Sequence, residues 1–280
     1  MGFLILTHDL PLPRNAGRPA FQGTQAGSRL IAQNAKKKSD MKLQIGCSGW
    51  NYKDWKGEFY PEDVPKKDWL NYYSQNFNSV EVNGTFYNLP KDETIQSWHD
   101  SAPHNFGFTL KGSRYITHMK KLNGVADNVD KFYKAAGILG DKLDSILWQL
   151  PPNLHRDDDK LREFCETLDN RRNNVIEFRH QSWYDDEVYA ILEANAVICC
   201  SISSPDFTDE LIKTADKVYI RFHGKGKDWY DYHYSKKELE NWTKKIRESG
   251  AKGAYIYFNN DVNAQAPGNA LDLAGMLKGD

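Results

Sequence analysis

At 280 residues, 40% apolar and 13% aromatic, the chain can bury a sizeable core as one large domain or two small ones. Its 37 Lys and Arg stand against 38 Asp and Glu, which excludes a global field that would hold nucleic acid or an anionic membrane surface. No run approaches the ~18 consecutive apolar residues of a membrane span, and Cys47, Cys165, Cys199 and Cys200 lack CxxC spacing, so they read as buried, reduced thiols of a soluble cytoplasmic protein.

Residues 1–40 differ from the rest: a short apolar start, then Pro, Gly, Gln, Asn and Ser, then Lys36-Lys37-Lys38. The apolar part is too short for a signal-peptide core and no A-x-A site follows it. This segment is expected to be a poorly structured extension or not native to the protein, with the folded domain over 41–280.

From Met41 onward, short β-rich runs alternate with stretches of helical spacing. The strand at 43–47 precedes a helix at 66–77, and 79–83 precedes 93–101, with Asp92 as its expected N-cap. Strand 106–110 leads to helix 129–139, and 145–150 to 158–168. Strand 175–179 leads to 186–194, capped by Asp185, and 197–201 to a short, weakly signalled helix near 209–214. Strand 218–223 leads to 236–249, where Ser235 and Glu238 form a capping box. The last strand, 254–259, leads to 266–278.

Eight such repeats over about 240 residues fit a closed (β/α)₈ TIM barrel. After the first strand stands Ile45-Gly46-Cys47-Ser48-Gly49-Trp50 rather than G-x-G-x-x-G, which removes the main support for a dinucleotide-binding open sheet.

In such a barrel the active site lies at the C-terminal strand ends, and these are unusually polar here. A period of two puts Glu81 and Asn83 on one face, and likewise Glu177 with Arg179, Arg221 with His223, and Tyr257 with Asn259, while Val, Ile and Phe partners face the helices. Lys111 and Gln149 end the third and fourth strands. Charged residues are rarely buried unless paired or working. One reading is a structural ion-pair network of Glu81, Glu177, Arg179 and Arg221 plugging the barrel, although such networks are poor substitutes for packed Val and Leu. The other is an enzyme acting on a small or terminal phosphate or carboxylate. In it Arg179, Arg221 and Lys111 hold the anion, Glu81 and Glu177 exchange protons with help from Lys111 and His223, and Asn83, Gln149 and Asn259 orient the substrate. Hydrolase, lyase and isomerase chemistries stay open. Aromatic side chains crowd the loops; Tyr87, Trp183 and Tyr257 are candidate substrate contacts, though roofing and core roles suit them equally.

Two further readings remain open. No cofactor is favoured, but Glu81, Glu177, His223 and Asp261 could ligate a divalent metal, as in a phosphodiesterase or nuclease of the endonuclease IV type acting on nucleic acid. A non-catalytic binding protein would use the same cations and aromatics without turnover. Oligomeric state is not legible.

The strings Ile45-Gly46-Cys47-Ser48-Gly49-Trp50, Val80-Glu81-Val82-Asn83-Gly84-Thr85-Phe86-Tyr87, Lys111 with Ile116-Thr117-His118, Gln149-Leu150-Pro151-Pro152, Glu177-Phe178-Arg179-His180 with Ser182-Trp183, Arg221-Phe222-His223-Gly224 and Tyr257-Phe258-Asn259-Asn260-Asp261 together resemble the YecE-like family, domain of unknown function 72. The match runs from about residue 42 almost to the C-terminus. It implies a TIM barrel and brings no reaction with it. Gly84 departs from the family, which more often has Ser there, and residues 1–40 have no counterpart.

Overall fold

A computed structural model describes residues 41–227 and 229–279; the expected N-terminal extension lies outside them. Eight parallel strands follow one another round a nearly closed barrel: β1 (Lys42–Cys47), β2 (Ser79–Val82), β3 (Gly107–Lys111), β4 (Leu143–Gln149), β5 (Asn174–Glu177), β6 (Ile198–Ser203), β7 (Lys217–Phe222) and β8 (Gly253–Phe258). The helices α1 (Trp69–Asn76), α2 (Asp92–Ser101), α3 (Ala126–Ala136), α4 (Asp158–Glu166), α5 (Asp186–Ala194), α6 (Lys236–Glu248) and α7 (Gln265–Lys278) lie between or after them. This is the (β/α)₈ architecture that the alternating pattern predicts.

The packing has two layers. Leu147, Val175, Ile198, Cys200, Ile202, Tyr219, Tyr255 and Tyr257 fill the space inside the strands, while the outward strand residues Val80, Ile146, Ile176, Ile220 and Ile256 join the larger core beneath the helices. Burying both strand faces turns the period-two alternation into two distinct apolar surfaces. All four cysteines are buried and unpaired. Among the described residues no helix is long and apolar enough to cross a membrane.

The caps are mixed. Asp185 accepts from the Glu187 amide at 2.9 Å, and Ser235 with Glu238 closes the expected capping box. Asp92 is instead the first residue of α2, with Lys91 at the cap and no side-chain cap bond; its charge still suits the positive end of the helix dipole. The helix expected near 209–214 does not form. That stretch runs along β6 irregularly, held by Ile212 N–H on Ser201 Oγ at 2.9 Å and by Thr214 Oγ1, which accepts from Cys199 N–H at 2.8 Å and donates to Val197 C=O at 2.7 Å. Hydroxyls that bond backbone groups compete with helix formation.

Backbone pairing runs continuously from β2 through β8 to β1, and the remaining join, between β1 and β2, is made by side chains. Asn78 accepts from Ile45 N–H at 2.9 Å and donates to Leu43 C=O at 2.7 Å. The Tyr73 hydroxyl accepts from Cys47 N–H at 2.6 Å and donates to Ser79 C=O at 3.1 Å. Gly46 makes room for this: a Cβ there would stand 1.9 Å from Ser79 O and 2.5 Å from Tyr73 Oη. Tyr73→Phe orphans two buried backbone groups, so a loss of about 1–3 kcal/mol for each is expected in urea unfolding. An unchanged midpoint would mean that β1 finds other partners.

Candidate functional site

The inward positions at the C-terminal ends of the strands meet in one charged cluster. Arg221, on β7, spreads its guanidinium between two carboxylates: Nη2 donates to Glu81 Oε1 and Nη1 to Glu177 Oε2, each at 2.6 Å. The other oxygen of Glu81 accepts from the Tyr219 hydroxyl at 2.5 Å. The other oxygen of Glu177 accepts from Gln149 Nε2 at 2.8 Å and from Arg179 Nε. Glu81, Glu177, Arg221 and His223 are all buried. The ion-pair network foreseen as a structural plug is therefore present.

Above this network opens a cavity of about 990 Å³, lined by Asn83, Phe86, Tyr87, Lys111, Gln149, Arg179, Arg221 and Asn259 among the residues singled out from sequence. Glu81, Glu177 and His223 lie beneath its floor rather than on it, which separates them from the proton-transfer roles read from sequence. Two expected substrate contacts are also elsewhere. Tyr257 points into the barrel below, its hydroxyl bonded to Ser79 Oγ at 2.6 Å and Thr109 Oγ1 at 2.9 Å. Trp183 stacks on Phe178 outside the strands and donates to Leu154 C=O at 2.7 Å.

The cavity includes residues that sequence reasoning passed over. Arg114 and His118 come from the loop after β3, where Tyr115–Met119 forms a single π-helical turn closed by Lys120 N–H on Tyr115 C=O at 2.9 Å. Lys121 and Leu122 then take positive φ of 47° and 70°, costly for residues with a Cβ and frequent at functional sites. His118 belongs to a string noted for family resemblance, and the turn that aims it has no sequence signal. Trp229, whose ring lies 5.0 Å from the Arg179 guanidinium, and Tyr230, held at φ 77°, complete the wall from the loop after β7.

Of the four residues of the metal reading, Glu81, Glu177 and His223 meet around Arg221, a cation, and Asp261 has no bond to them. Arg221 and its neighbours take up both glutamates. Among the described residues no group of three or more His, Cys, Asp or Glu could hold a metal ion.

A profile described as "Protein of unknown function DUF72" matches residues 44–280. The chain belongs to the DUF72 family. It is 24% identical over 269 residues to UPF0759 protein YunF of Bacillus subtilis, covering 84% of this chain and 94% of that protein. It is 30% identical over 116 residues to UPF0759 protein YecE of Escherichia coli, covering 41% of this chain and 43% of that one. Among solved structures, a DUF72 family protein of Thermotoga maritima superposes with a TM-score of 0.77 at 30% identity, covering 85% of this chain and 99% of the other. One from Enterococcus faecalis gives 0.73 at 19% identity, covering 85% and 96%.

The electrostatics of this DUF72 barrel follow from burial and neighbours. Burial alone would raise the Glu177 carboxyl, but the positive charges of Arg179, Arg221 and Lys111 together hold it well below the usual carboxylate range. Burial, then Arg179 and Arg221, push His223 well below an ordinary imidazole, so it is neutral near pH 7. Its Nε2 faces Arg179 Nη2 at 3.3 Å and Arg221 Nη1 at 3.4 Å, both donors, so Nε2 accepts and Nδ1 carries the proton. Asn259 Nδ2 stands 3.0 Å from Nδ1, and turning that amide over brings its carbonyl oxygen to the Nδ1 proton. Burial and the nearby Arg221 lower Lys111 to about 8, and burial and Lys111 lower His118 to about 4.

Two outcomes follow for this DUF72 protein. Arg221→Met leaves Glu81 and Glu177 without their shared cation and should cost about 3–5 kcal/mol in chemical denaturation at neutral pH, with partial recovery in the Arg221→Met, Glu81→Gln double variant. His223 binds its proton more readily unfolded than folded. Its contribution is thus intact above the unfolded value of about 6.5 and is lost as pH falls below it, by up to tenfold in the folding constant per pH unit. The slope of stability between pH 7.5 and 5.5 should flatten in His223→Gln; equal slopes would show that the imidazole is not held neutral.

Proposed function

We propose that this barrel is an enzyme acting on a small or terminal anionic substrate, a phosphate or carboxylate, bound in the cavity above the Arg221 network. The observation that carries the reading is the unspent cation on the floor. Glu81 and Glu177 are matched by Arg221 and Arg179, whereas Lys111 forms no ion pair among the described residues and lines the cavity. A half-buried cation without a carboxylate partner is a ready receiver for an incoming anion.

Within this reading Arg179 offers the fork and Lys111 the point charge. Arg221 supports from below, because its Nη donors are committed to the two glutamates. Asn83, Gln149 and Asn259 line the same space as orienting amides. With a value near 8, Lys111 can give and regain a proton near neutral pH, which suits a general acid or base better than Glu177, whose charge is locked in ion pairs. Four buried, unpaired thiols suit a reducing compartment and support a cytoplasmic setting.

Calorimetric titration with inorganic phosphate tests the reading. Lys111→Met is expected to weaken binding on the order of tenfold, about 1.4 kcal/mol. Lys111 is charged below about 8, so affinity in the parent should fall as pH rises through that value, and the variant should lack this step. Equal affinities at all pH values would remove Lys111 from the anion site and with it the main support for the function.

A further inference from the structure

Lys111 has a second chemical capability. It ends β3 at the cavity, and its Nζ stands 4.3 Å from the centroid of the Phe86 ring. Among the described residues its ammonium has neither a hydrogen-bond acceptor nor an ion-pair partner, whereas the buried side chain of Lys142 is satisfied by the carbonyls of His99 and Ala102. An apolar ring on one side and guanidinium groups below are the surroundings that activate a lysine as a nucleophile rather than fix it as a strut. His118 packs edge-on against the same Phe86 ring at 4.9 Å, and its Nδ1 is engaged by Thr117 Oγ1 at 2.9 Å. A neutral imidazole is therefore available on the amine's own side of the cavity. The rigid base is shared: Thr85 Oγ1 donates to the Lys111 carbonyl at 2.7 Å and so ties the strand end to the turn that carries Phe86.

We infer that Lys111 is the nucleophile of an imine-forming site, condensing with the aldehyde or ketone carbon of a ligand whose phosphate or carboxylate rests on Arg179. This rests on the anion reading above and narrows the substrate to an anionic carbonyl compound. Lys111 first gives its proton to solvent in the open cavity, which a value near 8 allows near neutral pH. The free amine then adds to the carbonyl carbon, forming the C–N bond as the carbonyl π pair moves to oxygen, and the adduct nitrogen passes one proton to that oxygen to give a neutral carbinolamine. A proton from solvent, relayed through His118, then reaches the hydroxyl, which departs as water as the nitrogen lone pair forms the C=N bond. The net change is ammonium plus carbonyl giving a protonated imine plus water, with no oxidation or reduction. The iminium then serves as an electron sink for breaking a bond at the neighbouring carbon, which is lyase or isomerase chemistry, and water reverses the linkage.

The test uses the full chain with three probes, glyoxylate, pyridoxal 5′-phosphate and pyridoxal, each trapped with borohydride and mapped by peptide mass spectrometry. At neutral pH a lysine near 8 holds about a hundredfold more free amine than an ordinary one. The adduct is therefore expected at Lys111 on the order of tenfold or more ahead of any other lysine, faster with pyridoxal 5′-phosphate than with pyridoxal, and suppressed by inorganic phosphate. Lys111→Arg keeps the charge and should abolish labelling at that site. Scattered or absent labelling at Lys111 while phosphate still binds would overturn the imine and leave the anion site standing. Selective labelling that ignores phosphate would keep the reactive amine and overturn the anion site. Neither labelling nor phosphate binding would overturn both.

Discussion

The site depends on one guanidinium. Arg221 is buried below the cavity and joins a carboxylate from β2 to one from β5, strands on different sides of the barrel. Each ion alone would be prohibitively costly to desolvate there, and only the short, charge-assisted bonds to both neighbours make the set tolerable. The arrangement also fixes everything above it. Arg179 is oriented by Glu177, Gln149 is oriented by the same carboxylate, and His223 is held neutral by burial and by the two guanidinium groups that face its Nε2. A floor with this much fixed charge is preorganised, so a ligand need not reorder it.

The network also divides labour between the carboxylates and the cations. The former are turned inward and matched; the latter include one member, Lys111, left facing the open space. A structural plug and a functional floor are therefore the same object seen from two sides. Its lower face substitutes for hydrocarbon packing, and Tyr219 and Tyr257 continue that lower face into the apolar interior with their hydroxyls paired to Glu81, Ser79 and Thr109. Its upper face sets the potential of the cavity.

The barrel was legible in the sequence because short β-rich runs alternate eight times with longer stretches, most of them of helical spacing, some of those punctuated at the start, as at Asp185 and Ser235. The polar inward face was legible for the same reason, and Glu81, Glu177, Arg179, Arg221 and His223 do meet. Depth was not. A period of two says which face a side chain occupies, but the stagger of a barrel decides which layer it reaches, so Tyr257 lies a layer lower than Asn259 while sharing its face. Arg114 and His118 escaped because a π-helical turn followed by two positive-φ residues is set by tertiary packing, not by local propensity. Trp183, for its part, has a motif position but packs on Phe178 outside the strands. The missing helix at 209–214 escaped because its polar residues find backbone partners along β6.

The side-chain seam between β1 and β2 gives the molecule an unusual kind of vulnerability. Around the rest of the circumference the strands are joined by peptide groups, which nearly every residue carries, so ordinary substitutions alter packing and leave the ladder itself in place. At the seam the joining groups are the amide of Asn78 and the hydroxyl of Tyr73. Closure of the barrel there is carried by a few side chains, with Asn83 adding a bond to the Ser48 carbonyl at 3.1 Å, so single substitutions can loosen or retune it.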